Sequence, residues 1–403
     1  MGKPKCVCIF SNFFPPVVSG SSVQVGKLCS ELVRKGWTVV VICARTVSGS
    51  SDYEVVEGVH VYRMPSLVIP KALTLGFNFS WLGITFKPAN IKRVKAIIKN
   101  YQPSIIHLHN YMFDLSLSAV LLSHLYKLPM VLTVHTFLRH PSPLINVLFY
   151  LAEQLILKWL VVRRAKCVIC PDMNVVNYAR REFGKVPTEM IPYGIHLSDS
   201  QVDAKKILEK KFDLKGKRLI LSVGHLHAMR NREDLFLAMP LILEEVPNAV
   251  LMIVGDVSVP IPDEVLDCED TENGVIFAGS LDHTEVSALL GFAELEAHWL
   301  NLYEPERTSL GIASLEAMSA ALPVLTTANP AIFGEGVLNH EDNIIIVEPH
   351  NPEKLAKTIV NLLNNDSRRK SIGINAQKTI MDHFSWDIIV EQTVEVYESI
   401  LNH

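Results

Sequence analysis

The sequence has little net charge and lacks several features that would assign it at once. Its 38 Lys and Arg residues nearly balance 42 Asp and Glu residues, which leaves a formal net charge of −4. It contains no internal repeat, no low-complexity segment and no Gly-x-Gly-x-x-Gly fingerprint after a predicted strand. With 49% hydrophobic and 20% charged residues, the composition excludes disordered, collagen-like and coiled-coil chains, and the missing fingerprint argues against a dinucleotide oxidoreductase.

Cysteine is also sparse, and no secretory signal is recognisable at the start. The seven Cys residues are an odd number, and only five residues separate the charged opening from Ser11. We therefore expect a reduced, cytoplasmic compartment. Cys167 and Cys170 have the spacing of a metal or redox pair, but no second Cys/His pair follows at zinc-finger spacing, which favours a structural role.

The small net charge conceals an asymmetry between the two halves. Residues 1–200 carry 22 basic and 10 acidic side chains, a balance of +12, whereas residues 201–403 carry 16 and 32, a balance of −16. Such an asymmetry indicates different partners for the two halves. The basic residues are not interleaved with aromatic ones as in nucleic-acid motifs, so we expect no nucleic-acid partner.

Short apolar runs alternate with helical patterns along the whole chain. The runs are rich in Val and Ile without polar alternation, which is typical of parallel strands buried on both faces. The order of elements predicts two consecutive doubly wound α/β domains. The predicted strands are 6–11, 39–44, 59–64, 105–108, 130–135, 167–170, 189–191, 218–223, 250–255, 275–278, 296–299, 324–327 and 344–347. The predicted helices of the first half are 23–35, 90–100, 115–126, 144–164 and 173–183.

The predicted domain boundary lies near residues 194–216, where a strand ends at Gly194 and a polar stretch precedes the next strand. We predict an N-terminal domain over 1–196, a C-terminal domain over 197–383, and a helix over 384–403 that packs back on the N-terminal domain. Two doubly wound domains place the carboxyl ends of two sheets at a central cleft, where such folds bind ligands.

Candidate binding residues in the first half lie at predicted strand ends. Gly20, in the loop before the first helix, allows a ligand to approach a helix N-terminus closely, although an ordinary strand–helix loop has the same composition. His135 ends the predicted strand 130–135 and could bind a sugar hydroxyl or a phosphate. His107 and His109, on the preceding strand tip, are weaker candidates.

Two segments of the second half are suited to a nucleoside diphosphate. Gly224 permits a turn after the first strand, and His225 and Arg230 then supply donor or cationic groups for a diphosphate. Residues 308–311 lead into a helix whose N-terminal amides can hold a phosphate. Glu316, about a turn and a half into that helix, could accept hydrogen bonds from a ribose diol.

In their order and spacing, these motifs resemble the family 4 glycosyltransferases of the GT-B fold over almost the whole chain. The resemblance rests on Phe14-Pro-Pro with Gly20, Val134-His135, Ile191-Pro-Tyr-Gly194, Ser222-Val-Gly-His-Leu with Arg230, Gly311 through Leu315-Glu-Ala-Met318, Leu322-Pro-Val324 and Phe384-Ser-Trp386. It implies two Rossmann-like domains that bind the acceptor and the nucleotide-sugar, respectively. It further implies sugar transfer to a hydroxyl with retention of anomeric configuration, using no metal and no cofactor besides the nucleotide-sugar co-substrate.

The resemblance also assigns roles to individual residues. His135 would contact the transferring sugar, and Glu316 would hold the donor ribose; these two are the expected catalytic residues. The residues assigned to donor binding are Gly20, His225, Arg230, Thr308, Ser309, Leu310, Gly311 and Glu316.

Several positions depart from the family pattern, including Ser19-Gly20 in place of a Gly-Gly pair and residues 329–334 in place of a Gly-Gly loop. The family has two Glu residues separated by seven positions, but the first falls at Thr308, and Glu304 or Glu306 could supply the missing carboxylate. Two alternatives stay open, and Thr308 motivates the first of them. One is a catalytically silent homologue that serves as a binding or scaffold subunit, and the other is a GT-B sugar-nucleotide epimerase.

The acceptor side is suggested by two apolar segments of the basic half. Residues 67–86 and 144–162 are rich in Leu, Phe and Trp with basic residues near their ends, and neither is a clean transmembrane span. Lys92, Lys95 and Lys99 add a cationic helix face. A core helix and a solvated face are the alternatives. Our hypothesis is a peripheral membrane enzyme on the inner face of an anionic membrane that glycosylates a lipid or lipid-linked acceptor.

Overall fold

The computed structural model describes residues 5–17, 19–47, 49–68, 83–138, 140, 142–197, 202–224, 232–255, 274–297 and 310–402. The chain divides into two compact units. Unit 1 comprises Met1–Gly194 together with Trp386–His403, and unit 2 comprises Ile195–Ser385.

Unit 1 is built on an eight-stranded sheet in which all pairings are parallel except that of its edge strand β3. In order across the sheet, its strands are β10 (Thr188–Met190), β9 (Cys167–Cys170), β8 (Met130–Thr133), β7 (Ile105–His109), β1 (Cys6–Ser11), β2 (Thr38–Arg45), β4 (Val59–Pro65) and β3 (Tyr53–Val56). A separate antiparallel ribbon pairs β5 (Leu67–Val68) with β6 (Gly83–Ile84).

Helices cover both faces of the unit 1 sheet, and two hydrophobic clusters fill the space between. The helices are Gly20–Arg34, Pro88–Tyr101, Leu115–Tyr126, Pro143–Ala152, Met173–Phe183 and Trp386–Leu401. The Pro143–Ala152 helix continues through a π turn (Glu153–Leu157), a short α segment (Lys158–Leu160) and a 3₁₀ turn (Val162–Arg164).

Unit 2 contains a six-stranded parallel sheet that is likewise packed on both faces. In order its strands are β13 (Val275–Gly279), β12 (Ala249–Val254), β11 (Arg218–Val223), β14 (Leu295–Ala297), β15 (Val324–Thr326) and β16 (Ile345–Ile346). The described helices are Val202–Lys211, Glu233–Glu245, His283–Leu290, Ile312–Ser319, Pro352–Asn364 and Asp366–His383, with a 3₁₀ turn at Pro330–Phe333. The doubly wound α/β class predicted for both halves is confirmed.

The last helix forms part of the unit 1 core. Trp386 and Tyr397 are buried in the same hydrophobic cluster as residues of β1 and β2. A Cβ atom on Gly194 would lie 2.3 Å from the Trp386 ring, so only glycine fits at the end of the Ile191-Pro-Tyr-Gly segment. The motifs Ile191-Pro-Tyr-Gly194 and Phe384-Ser-Trp386 therefore pack directly on each other.

Two local predictions are wrong. Part of the polar stretch that we interpreted as a linker is the helix Val202–Lys211. β8 ends at Thr133 rather than at His135, because the His135 amide donates to the side-chain oxygen Oδ1 of Asn110 (3.1 Å) instead of continuing the ladder.

Cys167 and Cys170 are both buried in β9, and burial raises the pKa of each thiol to about 12, which suppresses thiolate chemistry.

Candidate functional site

The carboxyl edge of the unit 1 sheet brings histidines from neighbouring strands together. In the parallel register, His109 of β7 lies beside Ser11 of β1 on one side and Thr133 of β8 on the other. His135 follows β8 by two residues. Parallel strands end at one edge, so residues distant in sequence become neighbours here.

Both ring nitrogens of His135 have partners within unit 1. Nδ1 lies 3.1 Å from the Tyr193 hydroxyl, and Nε2 lies 2.9 Å from Nδ1 of His109. Asn110, which holds the His135 amide, has a left-handed backbone with φ 64°. Asparagine tolerates that conformation better than most residues. The local backbone and two side chains therefore fix the His135 ring.

His107 lies deeper in the same group of rings. Its Nδ1 is 2.6 Å from the Tyr397 hydroxyl of the last helix, and its Nε2 is 2.7 Å from Thr133 Oγ1. The centroids of His107 and His109 are 4.2 Å apart, and those of His109 and His135 are 5.2 Å apart. We call Tyr397, His107, His109, His135 and Tyr193 the ring column.

The ring column is electrically neutral at physiological pH. Burial lowers the pKa of His135 to about 4 and that of His107 to about 3, and it lowers the pKa of His109 well below its usual range. The three histidines, Tyr193 and Trp386 line a cavity of about 40 Å³. Such a volume holds a few water molecules at roughly 10–15 Å³ each.

Gly20 is exposed at the start of the first helix. Ser19 caps this helix, since its hydroxyl accepts from the Ser22 amide (3.2 Å) while the Ser22 hydroxyl accepts from the Ser19 amide (3.0 Å). Gly20 has no side chain of its own, and the positive end of the helix dipole lies there. These features are compatible with its predicted role at an anion.

In unit 2, three adjacent strands end in glycines at the carboxyl edge of the sheet. Gly224 follows β11, Gly255 follows β12 and Gly279 ends β13, with φ values of 135°, 136° and 67°. Their amides link the strand ends, from Gly224 to the Val254 carbonyl (2.7 Å) and from Gly255 to the Gly279 carbonyl (2.9 Å). Three strand ends without Cβ atoms allow a ligand to approach the backbone closely.

The helix Ile312–Ser319 presents the second element expected to bind the donor. Gly311 is its N-cap, and a glycine has no side chain with which to cap the helix. Its Glu316 carboxylate is 28% exposed and lies 3.3 Å from Nε2 of His283, at the start of the neighbouring helix. Leu310, in contrast, is buried in the core of unit 2, so its side chain supports the fold and only its backbone can face a ligand.

A buried charged network underlies both elements. Arg232, 1% exposed, donates through Nε to Ser222 Oγ (2.8 Å) and through Nη2 to the Gly224 carbonyl (3.0 Å). Ser314, within the helix Ile312–Ser319, donates to Oε2 of the fully buried Glu296 (2.9 Å). Burial raises the pKa of Glu296 to about 8, although Ser314 and the Arg232 guanidinium oppose the rise.

Several predicted site residues lie outside the described residues: His225, Arg230, Glu304, Glu306, Thr308 and Ser309. Among the residues that are described, no group of three or more His, Cys, Asp or Glu side chains could hold a metal ion.

The sequence did not point to Tyr193, Arg232 or Glu296, and it made His109 a weaker candidate than His135. A usable signal existed for Glu296, which is a carboxylate inside the apolar run that forms β14. Charged residues inside buried strands are rare unless they have a partner. Nothing local marks Tyr193, because its importance depends on a contact with a histidine 58 residues earlier.

Comparison with known proteins agrees with this architecture. The family model described as Glycosyltransferase Family 4 matches residues 18–199, and the one described as Glycosyl transferases group 1 matches residues 203–379. An uncharacterised glycosyltransferase of Methanocaldococcus jannaschii is 28% identical, with 98% of each chain covered. Glycogen synthase of Mycobacterium tuberculosis is 27% identical over 95% of this chain and 92% of its own. Alpha-monoglucosyldiacylglycerol synthase of Streptococcus pneumoniae is 23% identical over 80% and 71%.

Solved structures show the same fold. Sucrose-phosphate synthase from Thermosynechococcus elongatus superposes with a TM-score of 0.72 at 20% identity, covering 99% of each chain. Anabaena HepE in complex with UDP-glucose gives a TM-score of 0.69 at 17% identity, with 98% of this chain and 99% of that chain covered. The paired family matches, the two parallel-sheet units and the full-length relatives lead to one conclusion: this chain is an enzyme of the family 4, group 1 glycosyltransferases with the GT-B fold.

Proposed function

We propose that the protein transfers a sugar from a nucleotide-sugar to a hydroxyl of a lipid or lipid-linked acceptor at the inner surface of an anionic membrane, with retention of configuration and without a metal. The observation that carries the donor part is the carboxyl edge of unit 2. There, three strands of the sheet end in glycines, and the helix Ile312–Ser319 of the same unit begins after the N-cap Gly311, which has no side chain. Backbone N–H groups of this kind bind phosphate.

The proposed chemistry requires a stabilised leaving group. The bond from the anomeric carbon to the diphosphate oxygen breaks, and a bond from that carbon to the acceptor oxygen forms. Negative charge develops on the diphosphate, and the departing diphosphate oxygen takes up the proton of the acceptor hydroxyl. Helix amides together with His225 and Arg230 are the proposed donors to that charge. Glu316 is proposed to accept hydrogen bonds from the ribose, and His135 to contact the sugar.

The relatives support a transferase with a nucleotide-sugar donor. Anabaena HepE was solved with UDP-glucose, and relatives spanning nearly the whole chain are named glycosyltransferases or synthases. The silent-homologue and epimerase alternatives are accordingly not favoured, despite Thr308.

Donor binding is expected to raise the melting temperature, and Glu316→Gln is expected to remove most of that rise. A ligand present at 100 times its Kd stabilises by about 2.7 kcal/mol. UDP-, GDP- and ADP-sugars are screened by thermal shift against the full chain. Glu244→Gln is the matched control, because it makes the same charge change at the exposed end of the helix that precedes β12. An unchanged shift in Glu316→Gln would contradict the proposed ribose site.

The membrane part of the proposal rests on one exposed apolar helix. Among the described residues, Pro143–Arg164 is the one helix of 18 or more residues apolar enough to cross a membrane, yet only 17% of its most apolar stretch is buried. Most of its apolar side chains face solvent. They are Leu144, Val147, Leu148, Tyr150, Leu151, Leu155, Ile156, Trp159 and Leu160.

Glu153 favours a helix that lies on the membrane over one that spans it. This carboxylate is fully buried, and the hydroxyls of Tyr111 and Tyr178 both donate to its Oε1. Spanning would require pulling the carboxylate out of the unit 1 core and into hydrocarbon, which is costly for a charged or polar group. The π turn at Glu153–Leu157 contains this inward-facing residue, whereas Leu151, Leu155 and Ile156 are exposed.

The cations near the helix have the arrangement of an interfacial helix. Lys158, Arg163 and Arg164 lie in its last turns, and the Arg163 guanidinium is 3.7 Å from the centroid of the Trp159 ring. Each basic residue near an anionic surface contributes about 1 kcal/mol of attraction. The name of the related alpha-monoglucosyldiacylglycerol synthase supports a lipid acceptor.

The triple variant Leu148→Ser, Leu151→Ser, Leu155→Ser is expected to lose most of its binding to anionic vesicles. The three side chains are 57%, 45% and 69% exposed, so the variant should fold normally. Partial burial of each Leu side chain in lipid contributes about 1 kcal/mol of binding free energy. Losing three of them should lower the partition coefficient roughly 100-fold. Co-sedimentation with phosphatidylglycerol vesicles measures it.

The control for vesicle binding is Ile374→Ser with Met381→Ser, two exposed apolar residues of unit 2 that are 62% and 49% exposed. The control should bind vesicles like the wild type. Equal binding by the triple variant would rule out this helix as the membrane contact.

A further inference from the structure

Among the three histidines of the ring column, His109 alone has a ring nitrogen without a hydrogen-bond partner among the described residues. Its Nδ1 contacts His135, whereas its Nε2 is buried and has no hydrogen-bond partner among the described residues. The residue is 4% exposed and lines the 40 Å³ cavity. A buried polar atom without a partner costs stability, so a functional explanation is warranted.

The contact between the two histidines restricts their tautomers. A neutral imidazole carries one N–H, so a hydrogen bond between two such rings requires a proton on one of the facing nitrogens and a lone pair on the other. If His135 donates from Nε2, its Nδ1 accepts from Tyr193. If His109 donates instead, Nδ1 of His135 carries the proton and donates to Tyr193. The state of one ring therefore determines the state of the other.

We propose that His109 is a positioning residue that fixes the orientation and the tautomer of His135, so that Nδ1 of His135, now facing the Tyr193 hydroxyl, is the atom that meets a substrate hydroxyl. The second clause rests on the proposed function. Tyr193 is the partner that a substrate displaces, because Tyr193 is half-buried whereas His109 is only 4% exposed. His109 stays in place, since it belongs to β7 and its ring packs against that of His107.

The remaining contacts of the column make His109 rigid enough for this task. His107 is held from both sides by Tyr397 and Thr133, and it supports the face of the His109 ring. A residue whose own orientation is fixed by packing can hold its neighbour to the geometry that catalysis requires.

The test reads the tautomer directly and does not depend on activity. In protein labelled with ¹⁵N-histidine, long-range ¹H–¹⁵N spectra should show a single neutral tautomer for His135 in the wild type. His109→Phe should convert it to a mixture, and Tyr193→Phe should leave it unchanged. The control is His124→Phe, which removes an exposed histidine outside the ring column and should leave the His135 tautomer unchanged.

The result that overturns the proposal is equally specific. A His135 tautomer that is the same in His109→Phe as in the wild type, or that changes in Tyr193→Phe, would show that His109 does not fix it. If His109→Phe fails to fold, the wild-type and Tyr193→Phe spectra still decide, because a mixed tautomer in either contradicts the proposal.

A kinetic measurement separates positioning from a merely structural role. With a donor identified by thermal shift, His109→Phe should lower kcat about tenfold with little change in the donor KM. His109→Asn, whose amide reaches the Nδ1 position, should recover most of the loss. Equal losses in both variants would count against positioning. Absence of turnover in the wild type would refute the proposed function and leave the spectroscopic result standing.

Discussion

Replacing Gly373 with alanine is expected to destabilise unit 2 by about 3 kcal/mol or more, because the added methyl group has no room. A Cβ atom at Gly373 would lie 1.9 Å from the Ala321 carbonyl oxygen and 2.8 Å from its carbon. Backbone atoms cannot rotate away as a side chain can. The helix Asp366–His383 would therefore have to move off the turn that follows the helix Ile312–Ser319.

Helix propensity by itself predicts that Gly373→Ala stabilises the protein, so the sizes of the propensity gain and the steric cost must be compared. Alanine is favoured over glycine inside a helix by about 1 kcal/mol, which is smaller than the steric cost. A loss of about 3 kcal/mol lowers the melting temperature of a domain of this size by roughly 6–12 °C. The displaced helix should also weaken donor binding, since the shifted turn supports the helix of Glu316.

The matched control for Gly373→Ala is Ile374→Ala, the next residue of the same helix. Ile374 is 62% exposed, and its truncation is expected to change stability by no more than about 0.5 kcal/mol. Thermal melting with circular dichroism measures both variants. A Gly373→Ala protein that melts at or above the wild-type temperature would contradict the close approach of the two segments.

Replacing Arg232 with methionine is expected to destabilise the protein in a pH-dependent manner. The variant removes the donors to Ser222 and to the Gly224 carbonyl, which costs about 2 kcal/mol at any pH. It also removes the cation that helps Glu296 ionise. The second loss depends on the protonation of Glu296 and is absent while that carboxyl is neutral.

The sign follows from the raised pKa of Glu296. Burial raises this pKa from 4.5 to about 8, so the wild-type protein loses stability as pH rises from about 4.5 to 8 and then levels off. Without Arg232 the pKa rises further, so the loss continues above pH 8 at up to about 1.4 kcal/mol per pH unit. The variant should therefore differ more from the wild type at pH 9 than at pH 6.

Urea denaturation at pH 6, 7.5 and 9 measures this difference. Arg232→Met combined with Glu296→Leu is the control, because it removes both charges and should abolish the added loss above pH 8. A destabilisation that is the same at pH 6 and pH 9 would show that Arg232 does not act on the ionisation of Glu296.

Much of the fold could be predicted because buried parallel strands leave a simple pattern. The bounds of β1, β9 and β11 and of the helices Leu115–Tyr126 and Met173–Phe183 match the sequence predictions. Continuous apolar runs bounded by polar residues mark such strands.

Elements that lie at the surface were missed, because they lack the continuous apolar runs that mark buried strands. β3 (Tyr53–Val56) is an edge strand with mostly exposed side chains, and its pairing with β4 depends on a turn at Glu57 and Gly58, with φ values of 50° and 81°. The helix Val202–Lys211 has few apolar residues and therefore resembled a linker. An apolar pattern in the sequence reveals only those elements that bury their side chains.

The candidate site divides in a similar manner. The position of His135 near a strand end and of Glu316 in a helix after small residues could be predicted, because both depend on local order along the chain. The contacts that define the ring column could not. His109 and His135 are 26 residues apart, and His107 and Tyr397 are 290 apart.

The sequence by itself determined the order of the buried strands along the chain, the doubly wound α/β class and the membership of the family 4 glycosyltransferases. It did so because hydrophobic periodicity and motif spacing are properties of the chain read in order. Only the tertiary structure decided that His109 contacts His135, that Arg232 lies near Glu296 and that Glu153 turns inward from an exposed helix. The physical reason is that a buried polar side chain must find a partner, and parallel strand register and helix packing, rather than local sequence, bring that partner within hydrogen-bond distance.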